Sequence, residues 1–207
     1  MRLDIFVEEQ SAEAALRNLI HRILPETEID VRFHPFRGKQ DLLKKLPGQL
    51  KAYRHWIADN HYLIVLVDRD TEDCELLKGR LESYAIEAGL KTLSKTRERF
   101  QVINRIAIEE LEAWFFGDVE ALHAAYPRVP VSIGERAPFR DPDAISGGTS
   151  ERLEKLLRDK GYQRGGLQKI RTAREISLHM DVNLNRSRSF QVFRDALRKI
   201  PQRVQDE

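Results

Sequence analysis

Tyr62-Leu63-Ile64-Val65-Leu66-Val67-Asp68-Arg69-Asp70 is the stretch that decides the fold. Six strand-forming residues run without a polar break, which describes a strand buried on both faces, as in a parallel sheet covered by helices. Two carboxylates come at once after it, at the C-terminal tip where open α/β sheets receive their ligands. Side chains alternate along an extended chain, so Asp68 and Asp70 are expected on the same side. Such a pair can share a hard divalent cation, with water completing the shell. A second acidic station stands after Leu3-Asp4-Ile5-Phe6-Val7, where Glu8 and Glu9 end another apolar strand.

Outward from these two stations the chain alternates strand and helix signals. Residues 3–7 read as a strand and 11–24 as a helix, capped by Ser11 and stopped by Pro25. Residues 29–34 alternate with period two, and 40–59 carry leucines at helical spacing with Pro47 set to bend or divide the helix. After the strand at 62–67 come a helix at about 72–88, a strand at 99–108 and a helix starting near Glu109. The order implies a mostly parallel sheet flanked by helices. Residues 127–150 hold four prolines and Gly147-Gly148, the composition of a long loop. Helices are expected at 150–160, 166–179 and 187–199.

At 207 residues the chain fits one domain or one domain with a small appendage. No apolar run approaches the roughly 20 residues that span a bilayer, and no signal-peptide pattern opens the chain, so no membrane contact is expected. Cys74 is the sole cysteine, which leaves no internal disulfide and no cysteine-based zinc site. A reducing cytoplasm is the expected compartment. The net charge of +2 hides an asymmetry: residues 151–207 hold 14 Lys and Arg against 8 Asp and Glu, whereas the first 150 residues are net acidic. An acidic sheet domain with a basic helical tail suits a phosphate-bearing polymer, although a solvated helical surface has the same composition.

Other chemistries find little support. The six histidines form no His-x-His or His-Glu-x-x-His spacing, and no Gly-x-Ser-x-Gly elbow is present. Gly38-Lys39 lacks the upstream glycine and succeeding hydroxyl of a P-loop. His34 and His179 read as packing or surface residues, and Trp114 reads as core rather than as a platform for a base.

Glu8 with Asp68-Arg69-Asp70, on a four-strand alternating unit, resembles the Toprim fold of topoisomerases, primases and overcoming-lysogeny-defect type nucleases. Its signature is a glutamate ending the first strand and Asp-x-Asp ending a later one. Glu9 stands where many members carry glycine, which leaves open whether Glu8 or Glu9 faces the metal. A narrower resemblance rests on Phe36-Arg37-Gly38-Lys39-Gln40-Asp41-Leu42-Leu43, on Ile108-Glu109-Glu110-Leu111-Glu112-Ala113-Trp114, and on Asn185-Arg186-Ser187-Arg188-Ser189-Phe190. These stretches are similar to the small Toprim-like proteins grouped as domain of unknown function family 4276, often linked with anti-phage loci.

The resemblance implies a Toprim-like (Rossmann-like) α/β core over 1–126, a loop over 127–150 and a basic helical subregion over 151–207 packed on the core. It implies a Mg²⁺- or Mn²⁺-dependent nuclease acting on DNA or RNA, with a separate ATPase as a partner; a homodimer stays open. Glu8, Asp68, Asp70 and Glu112 are the expected metal ligands and catalytic acids. Lys169 is expected to offset transition-state charge. Lys39, Arg171, Arg174, Arg186 and Arg188 are expected to hold nucleic-acid backbone. Two other readings stay open: a non-catalytic adaptor of a defence complex, and phosphoryl or nucleotidyl transfer to a small molecule.

Overall fold

The computed structural model describes residues 1–25, 28–96 and 98–200. Its frame is a four-stranded sheet of β1 (Arg2–Val7), β2 (Asp30–Pro35), β3 (His61–Asp68) and β4 (Val102–Ala107), in the order β2-β1-β3-β4. Every pairing is parallel. The chain therefore builds β2 on one side of β1 and β3 on the other, and the strand order reverses between β1 and β3. A crevice opens at the carboxyl ends of the strands at such a point.

Both faces of the sheet are covered, which is why its central strands are mostly apolar, with the buried Asp4 of β1 as an exception. Leu3, Ile5 and Val7 of β1 and Tyr62, Ile64 and Leu66 of β3 enter one core. The intervening Phe6, Leu63, Val65 and Val67 enter the other, against α2 (Lys39–Tyr53) and α3 (Cys74–Glu87). The first core is shared with α1 (Gln10–Ile23), α4 (Glu112–Phe116), α5 (Val119–Ala125), α6 (Thr149–Asp159), α7 (Lys169–Ser177) and α8 (Arg188–Leu197). The fold class is α/β. The C-terminal helices donate Leu153, Leu157, Ile176, Phe190 and Phe193 to the same core as the sheet. Residues 201–207, the end of the expected basic subregion, lie outside the described residues.

Three local expectations are corrected. Helix α2 runs through Pro47 undivided and ends at Tyr53, short of the expected residue 59. The helix anticipated from Glu109 starts only at Glu112, because Glu109 takes a left-handed φ of 61° that cannot begin a helix. It then stops at Phe116, and α5 starts afresh behind Asp118, whose carboxylate caps it by accepting from the Ala121 N–H at 3.0 Å. The segment 127–150 is not one open loop: it folds into three single 3₁₀ turns, at Val131–Glu135, Ala137–Phe139 and Pro142–Ala144. Among the described residues no helix is long and apolar enough to cross a membrane.

Candidate functional site

Register brings the two acidic stations together. Val7 pairs with Leu66, so the next residue, Glu8, stands beside the last turn of β3. Its side chain is only 8% exposed, and Oε1 accepts the backbone N–H of Asp68 at 2.9 Å. Asp68 closes β3, Glu112 opens α4 at 4% exposure, and Lys169 opens α7. These four side chains, with Glu9 and Ser11, line one cavity of about 10 Å³ at the strand-order reversal. That is the order of space a single water needs.

Burial dominates the electrostatics. It pushes Glu8 up to about 7, against the pull of the Asp68 N–H and the Lys39 charge. It pushes Glu112 up to about 7, with Lys169 opposing. Asp68 is raised well above its ordinary value by burial, then by Glu8, Glu112, Asp70 and Glu110. For Lys169 burial works against the charge, but Glu112, Glu9, Glu110 and Asp68 outweigh it and hold the ammonium above its ordinary value. Three buried acids, with Glu9 at the rim, thus crowd a space with one lysine among its walls, and added positive charge would let the buried ones ionise. The donors are all carboxylate oxygens, which fits Mg²⁺ or Mn²⁺ by type. Among the described residues, no three His, Cys, Asp or Glu are already grouped as a metal site.

A family model described as Domain of unknown function (DUF4276) matches residues 7–198, nearly the whole chain. The chain belongs to that family. No curated protein and no solved structure matches it. The DUF4276 match takes in both acidic stations, Glu112 and Lys169, and its description names no activity.

Asp70 does not line the acidic cavity of this DUF4276 chain, although its charge acts on Glu8 and Asp68. The expectation of two aspartates on one side of an extended strand is corrected by the backbone: β3 ends at Asp68, and Asp70 turns left-handed at φ 51°. Its N–H bonds to the Glu109 carbonyl at 2.7 Å, and its half-exposed carboxylate pairs with Lys39 Nζ at 2.6 Å. Lys39 is corrected in the same way. It is 8% exposed and also reaches the Arg69 carbonyl at 3.0 Å and Glu72 at 3.3 Å, so its ammonium is engaged within the protein rather than offered to phosphate. Glu9, the alternative to Glu8, is the N-cap residue of α1 with a half-exposed side chain, 3.9 Å from Lys169.

The arginines separate into two places. Arg171 and Arg174 line a larger cavity that shares Glu9, Ser11 and Lys169 with the acidic one. Arg186 lies over Gly134, and Arg188 lines a different depression with Cys74 and Arg105, so neither meets the acids. Trp114 is core: fully buried against Phe190 and Phe193, its Nε1 donates to Ser189 Oγ at 2.9 Å.

Four residues hold places that their local sequence does not signal. Ser11, expected to cap α1, lines the acidic cavity instead, and Arg37 lines the larger one. Glu110 caps α6, accepting from the Ser150 N–H at 2.8 Å and the Thr149 hydroxyl at 3.0 Å. Asp4, wholly buried, bridges His34 and His61 at 2.5 Å each and accepts from Arg2 at 2.9 Å. A charged residue inside an apolar strand run is the one available signal for Asp4.

Proposed function

We propose that the acidic cavity is the active site of a metal-dependent phosphodiesterase that hydrolyses nucleic acid. The observation that carries this reading is the convergence of Glu8, Asp68, Glu112 and Lys169, from four separate elements, on one small cavity at the strand-order reversal. Glu8, Asp68 and Glu112 would hold Mg²⁺ or Mn²⁺, which when bound stabilises the attacking and leaving oxygens of an in-line displacement. A carboxylate oxygen of this set not bound to the ion would accept the proton of the attacking water. Lys169 offsets charge developing on the phosphoryl oxygens, and Arg171 and Arg174 hold the neighbouring backbone. Asp70 serves indirectly, by fixing Lys39 beside Glu8. Anti-phage defence and a separate ATPase partner belong to the same proposal through the Toprim resemblance.

Single- and double-stranded DNA and RNA incubated with Mg²⁺ or Mn²⁺ test the reading. Cleavage is expected with wild type, and Asp68→Asn and Glu112→Gln should each lose at least about a hundredfold. Equal cleavage by these variants, or none by wild type with either metal, overturns it.

A further inference from the structure

Beside the acidic cavity lies a second one of about 630 Å³, between the starts of α1, α2 and α7. Its walls carry Arg37, Lys169, Arg171 and Arg174 against a single acid, Glu9. Arg171 is held by Glu175 at 2.7 Å, but neither Arg37 nor Arg174 forms an ion pair among the described residues. Phe36 forms an apolar part of the wall, its ring 6.4 Å from that of Phe6.

The helix ends point the same way. Helices α3, α5 and α8 are capped by Asp73, Asp118 and Ser187, and α6 by Glu110. Helices α1, α2 and α7, whose first residues or N-caps line this cavity, have no side-chain cap, and elsewhere the five-residue α4 also lacks one. Their first-turn N–H groups are the donors an anion needs. Ser11 is the independent sign. Only 7% exposed, its side chain has no hydrogen-bond partner among the described residues, and it lines both cavities. Its hydroxyl is not among the sealed, unbonded polar atoms of the core, so it opens on the cavity as a donor free for a ligand.

We infer that this cavity holds one unpaired nucleotide of the substrate strand, so that the substrate is single-stranded nucleic acid. The phosphate sits on the three helix starts with Arg37 and Arg174, Ser11 donates to it, and the base lies against Phe36. The volume falls in the range of small-molecule sites and suits a nucleotide, whereas a duplex keeps its bases stacked inside and offers only its convex backbone. The inference rests on the nuclease reading only in taking nucleic acid as the polymer at the acidic cavity.

Fluorescence anisotropy of a labelled hexanucleotide, read in EDTA so that no cleavage occurs, tests it. The single strand should bind at least tenfold more tightly than a duplex of the same sequence. Arg37→Ala/Arg174→Ala should weaken single-strand binding at least tenfold, and Phe36→Leu severalfold, with unfolding midpoints checked alongside. Reading affinity with no metal bound and no cleavage keeps a failure of catalysis distinct from a failure of this cavity. Equal affinity for the duplex, or an Arg37→Ala/Arg174→Ala protein that is folded and binds like wild type, overturns the inference.

Discussion

The Glu8 carboxylate, at the end of β1, accepts the backbone N–H of Asp68, at the end of β3, across 2.9 Å. One bond thus ties the two acidic stations to each other and fixes their spacing before any cation arrives. It also gives Glu8 a structural duty separable from its chemistry. Glu8→Gln keeps an acceptor for the Asp68 N–H and should fold as well as wild type while losing metal binding. Glu8→Ala leaves that N–H without its partner and should cost about 1–3 kcal/mol by urea unfolding.

Stability of the metal-free protein should fall as pH rises from about 4.5 to about 7. Glu8 and Glu112 have folded values near 7 against ordinary values of 4.5, so the folded state holds more protons in that window and loses its advantage as they leave. Each displacement corresponds to roughly 3 kcal/mol. Asp4 works in the opposite sense: its carboxyl is lowered, burial being outweighed by His34, His61 and Arg2, and its contribution is lost only as pH drops below its ordinary 3.8. Urea unfolding at pH 5 and pH 8, with and without Mg²⁺, should show the larger metal stabilisation at pH 8. Equal stabilisation at both would contradict the assignment.

Lys39 should matter to the fold and not to the ligand. Its ammonium is engaged by Asp70, Glu72 and the Arg69 carbonyl. Lys39→Met should lower the unfolding midpoint by leaving Asp70 unpaired, and single-strand affinity in EDTA should stay within about twofold, since no phosphate contact is removed. A tenfold loss of affinity in a folded variant would restore Lys39 as a phosphate ligand.

Asp4 stands toward the N-terminal end of β1, away from the acidic cavity, and its three partners all carry or can carry positive charge. Asp4→Ala should destabilise by about 1–3 kcal/mol, because it leaves the buried His61 ring and the partly buried Arg2 without their acceptor. Cleavage per folded molecule should not change. Activity assays on a sample whose folded fraction is measured by circular dichroism distinguish the two effects.

Much of this is legible in the residues. The apolar run 62–67 and the shorter one at 3–7 are the two central strands, and a parallel sheet must place the acids that end both of them at one edge. Glu112 and Lys169 stand out locally, as an acid beside an apolar helix face and a lysine after Gly165-Gly166. Asp70 misleads because alternation holds only while the chain stays extended. Here Arg69 and Asp70 leave the strand to bond the carbonyls of Ala107, which ends β4, and Glu109, just beyond it, a contact between residues about 40 positions apart. The Asp4 cluster is hidden for a similar reason: His34 and His61 reach Asp4 from strands on either side, and pairing order is not written in any one segment. The large cavity depends on three helix starts meeting, which no local pattern announces.

The central claim is that Glu8, Asp68 and Glu112 form one cation site, and Mn²⁺ titration by calorimetry at pH 8 tests it most directly. Wild type should show saturable binding that is lost in Asp68→Asn/Glu112→Gln, with both proteins folded by circular dichroism. Binding of equal affinity and stoichiometry in the two proteins would contradict it.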